Sequence, residues 1–560
     1  MLRLPSAAMR QRKRSPSCSN RLDALEEKRT AILESTPMGH TPRTQLSTPL
    51  ANLRQSFFRK RRSCLLRDAD IMVEHGHGRQ LDDDYELDTQ LWGEGGFGTV
   101  RRARPRMSDR LTGPWQRAVK AVKKCNRMAN GFVKKEVAIL RGLDHPCICR
   151  LMETFEDNIH HYLVMEFIEG QELFDFLNAL KGRSMLPSEP CAAGIMRQVF
   201  SALQYCHERR IIHRDLKPEN IMIKHDESSD QIEVKLIDFG LATLSQNDGV
   251  NIVDGGLCGT EQYMAPEVRR RGKFTTAADM WSAGLVLYTL LFGDLPNSAI
   301  CSGTKPVDGG ITGKVSDSAS ELLRGVLDAS ASQRWSAAKA CKHAWCQDTE
   351  NSGQPLSAKD SEDIVRALIA FEQSSHLQRA AKMVLAKQLT SQNTQMLRKH
   401  FLCLDQDADG KIAREEIVAL IQHCHGVSAA DRARAEEIFA SIDSDSSGFI
   451  EYTEWVGAAL QEIDVSDDAD YSEAIWTAFN IFDVQRNGHI SPADLGTVLQ
   501  ADAEDLPAFS RYDTNGDGVL DFSEFKAMLF PTALAPDAVV IFLDDATPTA
   551  DGLTGTKVSL

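Results

Sequence analysis

A twelve-residue pattern recurs four times in the last third of this chain and limits what that third can become. The loops begin at Asp405, Asp443, Asp483 and Asp513, and each carries a glycine at its sixth position and an apolar residue at its eighth. The first loop has carboxylates at Asp405, Asp407, Asp409 and Glu416, with Lys411 at the seventh position. The second has Asp443, Asp445, Ser447, Phe449 and Glu454 in the same register, and the fourth has Asp513, Asn515, Asp517, Val519 and Glu524. A hard cation such as Ca²⁺ needs this kind of oxygen shell: side chains at positions 1, 3, 5 and 12, a main-chain carbonyl at 7, and glycine at the sharp turn. Lys411, Phe449 and Val519 are therefore expected to serve through their carbonyls. The third loop keeps Asp483, Gln485, Asn487 and Gly488 but ends on Asp494. The shorter side chain and the neutral Gln predict weak calcium binding, none, or Mg²⁺ instead. Apolar eighth positions (Ile412 with Ile450, Ile490 with Leu520) suit short β-contacts, so two lobes of two loops are expected, at 398–465 and 470–531.

Charge follows the same division. The net charge is -15, yet residues 1–64 carry 14 Lys/Arg against 4 Asp/Glu, while the chain from Arg398 onward carries 10 against 31. The acidic end reads as a set of cation ligands rather than a solvating tail, because the carboxylates are spaced and not merely abundant. With 560 residues, 42% hydrophobic and 26% charged, the chain is expected to hold several globular domains and is neither wholly disordered nor collagen-like. The longest uncharged apolar run, near Gly284–Gly293, is about half of the ~20 residues that a membrane-spanning helix needs. Thirteen cysteines without a framework spacing point to reduced thiols in an intracellular compartment.

The middle of the chain carries different chemistry. Leu91-Trp-Gly-Glu-Gly-Gly-Phe-Gly-Thr-Val100 holds Gly93, Gly95, Gly98 and Val100 in a pattern that lets main-chain N–H groups approach phosphates. Taken alone, it is often only a tight hairpin. Lys120 stands on the next strand-like run, Ala118–Val122, and Glu136 lies on a helix-compatible stretch. Further on come Ile212-His213-Arg214-Asp215-Leu216-Lys217-Pro218-Glu219-Asn220 and Ile237-Asp238-Phe239-Gly240, then Ala265-Pro266-Glu267 and Asp279-Met280-Trp281-Ser282 with Gly284. Phosphoryl transfer needs a carboxylate at the attacking hydroxyl, acceptors for Mg²⁺ and a cation at the γ-phosphate. These motifs supply each in the expected order.

Residues 85–346 thus resemble a eukaryotic protein kinase, which implies an α+β bilobal domain using ATP and Mg²⁺. The resemblance implies that Gly93, Gly95 and Gly98 cover the phosphates, that Val100 flanks the nucleotide, and that Lys120 and Glu136 form an orienting ion pair. It also implies that Asp215 accepts the hydroxyl proton, that Lys217 steadies the γ-phosphate, and that Asn220 and Asp238 hold Mg²⁺. Met165 becomes the gatekeeper, Glu166 the start of the hinge, and Glu267 a partner for Arg334. Gly170-Gln171-Glu172-Leu173-Phe174 resembles a segment of calmodulin-kinase-type enzymes, with Gln171 in place of a second glycine. Glu172 and Glu219 then match acidic positions that face an arginine of the substrate. Protein substrates with basic residues near Ser/Thr are the implied partners.

The four loops resemble EF-hands, which form an all-α, calmodulin-like domain. A kinase domain, a helical junction at 358–397 and four EF-hands resemble the calcium-dependent protein kinases of plants, algae and protists. The junction has apolar residues at Ile364, Leu368, Phe371, Leu377, Ala381, Leu385 and Leu389, close to a helical period. By this resemblance Ala367–Ala381 is an autoinhibitory helix and an intramolecular partner of the EF-hand lobes. It occludes the kinase at low Ca²⁺ and is released or gripped when the lobes open. Four features depart from the family pattern. His376-Leu-Gln-Arg379 replaces a lysine-rich start, leaving Arg379 and Lys382 as the basic residues. Residues 294–318 read as loop where a docking helix is usual. The activation segment offers Thr243, Ser245, Thr260, Asp248 and Asp254 but no evident phosphorylation site opposite Arg214. Leu2 in place of glycine predicts no N-myristoylation.

Residues 1–80 read as a largely disordered basic extension and 532–560 as a tail without pattern. The extension resembles a transit peptide. Its clusters Arg10–Arg14 and Arg59–Arg62 equally suit nuclear import or a membrane surface, and Ser15-Pro, Thr36-Pro, Thr41-Pro and Thr48-Pro suit a phosphorylatable tail. The cytoplasm is the expected compartment, with no nucleic-acid partner and no transmembrane segment. Two functions are open at this point: a calcium-activated Ser/Thr kinase, or a calcium-binding scaffold whose kinase fold only docks. Intact Lys120, Asp215 and Asp238 favour the first.

Overall fold

Alternation along Arg117–Lys123 places Val122 in the large core and Val119 in a small outer one, so this strand is covered on both faces. It is β4 of a six-stranded sheet, in the order β1-β5-β6-β4-β3-β2, with β1 at Val73–Glu74, β2 at Tyr85–Gly95, β3 at Gly98–Pro105, β5 at Leu151–Glu156 and β6 at His160–Glu166. The computed structural model describes residues 73–74, 79–95, 98–106, 117–124, 127–226, 231–245, 250–252, 258–271, 273–307, 313–347, 356–390, 393–460, 469–499 and 509–530. Most of the basic extension, the tail after Phe530, and Asp248 and Asp254 lie outside the described residues. The extension is not wholly without structure: Val73 and Glu74 pair in parallel with Glu153 and Thr154 at the sheet edge. Helix α1 (Arg127–Leu140) packs Val133, Ile139 and Leu140 into the large core.

The larger lobe is built on α2 (Glu189–Glu208) and α3 (Thr276–Phe292). Helix α3 is apolar around most of its circumference and is buried accordingly. Among the described residues of 294–318 lie a short helix, Ser298–Cys301, capped by Asn297, and the start of the helix Asp317–Val326, where the sequence suggests only loop. Among the described residues no helix is long and apolar enough to cross a membrane.

The junction is two helices, not one. Helix α4 (Ala358–Gln373) ends at Ser374, which is extended, and α5 (His376–Gln388) restarts under a capping box between Ser375 and Gln378. The apolar period runs through the break because both helices feed the same core. That core continues through α6 (Gln395–Leu404), α7 (Arg414–His423), α8 (Ala435–Ile442), α9 (Tyr452–Ala459), α10 (Ala469–Phe482) and α11 (Phe522–Leu529). Strands β7 (Ile412–Ala413) and β8 (Phe449–Ile450) pair Ile412 with Ile450, and a bridge pairs Ile490 with Leu520. Helix α5 packs against α9 and α10 and touches α11, so both lobes surround it. Lys382, a candidate for a basic plug, is buried in this grip, and burial lowers its pKa.

Candidate active site and calcium loops

The strands position the first cation. Lys120 shares a face of β4 with Val122, and its Nζ lies 2.7 Å from Glu136 of α1 and 2.9 Å from Asp238. Burial works against the ammonium, but the two carboxylates outweigh it and raise its pKa. The pKa of Asp238 is lowered: burial opposes ionisation, and Lys120 together with the Gly240 N–H outweighs it. Asp238 adopts φ 62, a left-handed conformation held by that local bonding. Phe239 packs its ring 4.8 Å from that of His213, which links the Asp238 turn to the loop carrying Asp215. Gly98 lies at φ 130, and a Cβ there would sit 2.2 Å from the Ala121 carbonyl, so the glycine-rich strand can lie this close to β4 only with glycine at that position. Gly93 pairs with Val100, Val100 with Lys120, and Gly95 with Gly98.

Asp279 of α3 fixes the second half. Its buried carboxylate accepts from the N–H groups of His213 and Arg214 at 2.9 Å each. Asp215 follows directly; it accepts from Lys217 at 2.8 Å, and from the N–H and hydroxyl of Thr260 at 2.7 and 2.8 Å. Asn220 donates to the Asp215 carbonyl at 2.8 Å. Lys217 also reaches the Thr260 hydroxyl at 2.8 Å, so the segment around Thr260 is tied to the loop carrying Asp215. Glu267 and Arg334 form a two-pronged pair at 2.7 and 3.0 Å. Met165 pairs with Ala118 and Leu151 and packs against the large core. Glu166 turns its side chain away from the cleft, into Lys235 at 2.9 Å and the Arg150 N–H at 2.8 Å. Burial would raise its pKa, but Lys235 and Arg150 outweigh burial and hold it at about 2. Only its main chain is therefore available toward the cleft. Glu172 pairs with Met222, and the helix that follows it packs on the Pro218–Asn220 turn that carries Glu219. One ammonium held by two carboxylates, a buried aspartate with asparagine nearby, and a glycine-rich strand pressed close to β4 fit a nucleoside triphosphate with Mg²⁺, which would neutralise charge on the transferring group.

The calcium loops have the donor chemistry of a cation site. Carboxylate oxygens of Asp405, Asp407 and Asp409 lie within 4.8 Å of one another, as do those of Asp443, Asp445 and Glu454. Burial, with added repulsion from neighbouring carboxylates, raises the pKa values of Asp405, Asp443 and Glu454. A bound cation would relieve both the burial and the repulsion. In loops one, two and four the closing glutamate reaches across to the second loop residue, at Gln406, Ser444 and Thr514. Asp494 of loop three instead accepts from the N–H and hydroxyl of Ser491, three residues away. The glutamates also accept from the N–H three residues back, at Ala413, Glu451 and Asp521; Asp494, one methylene shorter, makes that contact without the reach across the loop.

Sequence reasoning missed the contacts that join the two halves. Asp144 accepts from the Thr453 N–H at 2.6 Å and its hydroxyl at 2.9 Å, with both residues buried. Glu451 pairs with Arg209 of the large lobe, and Lys411 with Glu208 at 2.8 Å. Gly410, at φ 82, lies so close to His145 that a Cβ would approach its ring to 2.1 Å. Arg398 donates to Gln198 at 2.7 Å and to the Pro146 carbonyl at 3.3 Å. At the far end of α5, the carbonyls of Ala386 and Gln388 accept from Arg150 and Arg117, each at 3.2 Å. Arg117 is on the opposite face of β4 from Lys120, so the junction ends behind the sheet and not in the cleft.

This fold and this constellation define a protein kinase, and the profile described as "Protein kinase domain" matches residues 85–346. An "EF-hand domain pair" profile matches residues 376–424 and an "EF hand" profile residues 506–529. The chain is 33% identical to calcium-dependent protein kinase 3 of Plasmodium berghei over 80% of each chain. It is 31% identical to calcium-dependent protein kinase 5 of Plasmodium falciparum, over 80% of this chain and 78% of the relative. With calcium-dependent protein kinase 3 of Plasmodium yoelii yoelii it shares 34% over 75% of each. The chain belongs to the calcium-dependent protein kinase family, and serine/threonine kinase activity on protein substrates follows from that membership.

Proposed function

We propose that this kinase phosphorylates Ser/Thr in basic sequence contexts and is switched on when calcium-loaded EF-hands hold α5 behind the small lobe. One observation carries the gating part: α5 is surrounded by both lobes and anchored on Arg117 and Arg150 while Lys120, Glu136 and Asp238 are already joined. Asp215 takes the proton of the attacking hydroxyl, Lys217 supports the transferred group, and Lys120 orients the nucleotide. Asn220 and Asp238 are the residues that would hold Mg²⁺. Glu172 and Glu219 supply the acidic rim for a substrate arginine. The residues of loops one, two and four hold Ca²⁺, and loop three contributes chiefly packing. Calcium titrations of peptide phosphorylation test the ranking of the loops. Glu416→Gln, Glu454→Gln and Glu524→Gln each raise the calcium requirement, while Asp494→Asn leaves it near wild type. A large effect confined to Asp494→Asn contradicts it.

A further inference from the structure

Loop one is pressed along one edge against the large lobe. Ala408, held at φ 54, is buried in the large core, and its carbonyl lies 3.9 Å from the Cys341 thiol. The residues next to that contact meet as well: the Lys342 ammonium lies 3.2 Å from the Asp407 carboxylate. Lys342 is placed by its own segment, because its N–H closes the helix Ala337–Cys341 and the Cys341 before it is buried. The other Asp407 oxygen faces into the loop and accepts from the Asp409 N–H at 3.3 Å. One carboxylate thus spans the calcium loop and the large lobe. Lys411, the other cation of this edge, is turned outward to Glu208 at 2.8 Å. Loop one is also the loop with charge to spare. At positions 1, 3, 5 and 12 it has four carboxylates, where loops two and four have three each. Burial, and then repulsion from neighbouring carboxylates, raises the pKa values of Asp405 and Asp409.

We propose that Lys342 is an affinity-setting residue for calcium at loop one, a tethered positive charge supplied by the large lobe that competes with the ion for Asp407. An ion drawing on Asp407 must share it with the ammonium and meets a like charge beside it. The docked lobe therefore weakens loop one and moves the calcium threshold upward. The coupling is reciprocal, so calcium at loop one loosens the Lys342–Asp407 pair. Both side chains are about half exposed, at 54% and 50%, which keeps the effect modest and sensitive to salt. The proposal rests on the assignment of loop one as a calcium site.

The test is calcium binding to the full chain, followed by competition with a chromophoric chelator and without turnover. Glu416→Gln identifies the loop-one component as the calcium equivalent that it removes. Lys342→Gln should tighten that component about threefold, and Lys342→Glu, which changes the charge by two, about tenfold. Lys342→Arg keeps the charge and stays near wild type. The gap between Lys342→Gln and wild type narrows from ~0.1 to ~1 M salt, and it vanishes in the Glu416→Gln background. Equal loop-one affinity in wild type and Lys342→Glu overturns the proposal and leaves the calcium assignment standing. Weaker binding by Lys342→Glu also overturns it, because the pair then supports the loop rather than competing for it. If Glu416→Gln removes no calcium equivalent, loop one holds no calcium, and the assignment falls with the proposal.

Discussion

Removing the Asp144 carboxylate should raise the calcium needed for activation without touching the chemistry. Asp144→Ala deletes two hydrogen bonds, from the Thr453 N–H at 2.6 Å and its hydroxyl at 2.9 Å. At about 1.5 kcal/mol each for bonds to a charged group, the docked arrangement loses about 3 kcal/mol. Thr453 precedes Glu454, the closing glutamate of loop two, and Glu451 on its other side pairs with Arg209. Docking and calcium capture therefore share one short segment, and what weakens one weakens the other. If three loops make up the loss, each must supply about 1 kcal/mol more, which takes roughly fivefold more calcium. Asp144→Asn keeps one acceptor and should shift the curve less, by about twofold for a loss of about 1 kcal/mol. The assay is phosphorylation of a basic Ser/Thr peptide across buffered calcium concentrations. Equal half-activating calcium for wild type and Asp144→Ala would refute the coupling, provided that both melt at similar temperatures.

Asp215→Asn should fold and bind nucleotide but lose about 10²–10⁴-fold in turnover, since the hydroxyl loses its proton acceptor; unchanged turnover would contradict its assigned role. Acidity should oppose calcium. Burial raises the pKa values of Asp405, Asp443 and Glu454 above ordinary carboxylates. Calcium needs the deprotonated forms, so binding releases protons, and half-activating calcium rises as pH falls through those raised values. Glu524 is held low instead, because N–H and hydroxyl donors from Asp521, Thr514 and Asn515 outweigh burial, so this residue adds little to that dependence. Calcium titrations at several pH values check it, and a requirement independent of pH contradicts it.

The local chemistry was readable from the sequence because it is written at fixed short spacings. The stretch from His213 to Asn220, the Asp238 turn and the twelve-residue loops each place their donors within one turn or loop, so spacing alone locates them. Contacts between distant segments leave no such trace. Asp144 and Thr453 are 309 positions apart and look like ordinary polar residues in both neighbourhoods. The break at Ser374–Ser375 was hidden for another reason: the apolar period continues through it, and only the capping pair Ser375 and Gln378 marks the restart. Strand β1, two residues long, carries too little pattern to stand out from its polar surroundings. Glu166 shows how a correct segment can be assigned while its side chain points elsewhere, since its partner Lys235 comes from a distant strand.

The central claim is that calcium at the EF-hands switches the kinase by seizing α5. Its most direct test is the rate of phosphate transfer from ATP to a basic Ser/Thr peptide, measured on the full chain in chelator and across a calcium titration. The account predicts little turnover in chelator and a cooperative rise with calcium, since one site adds only about 1.4 kcal/mol at tenfold its Kd while several together approach the ~5.5 kcal/mol needed to invert a 99:1 equilibrium. Equal turnover in chelator and in calcium would contradict it.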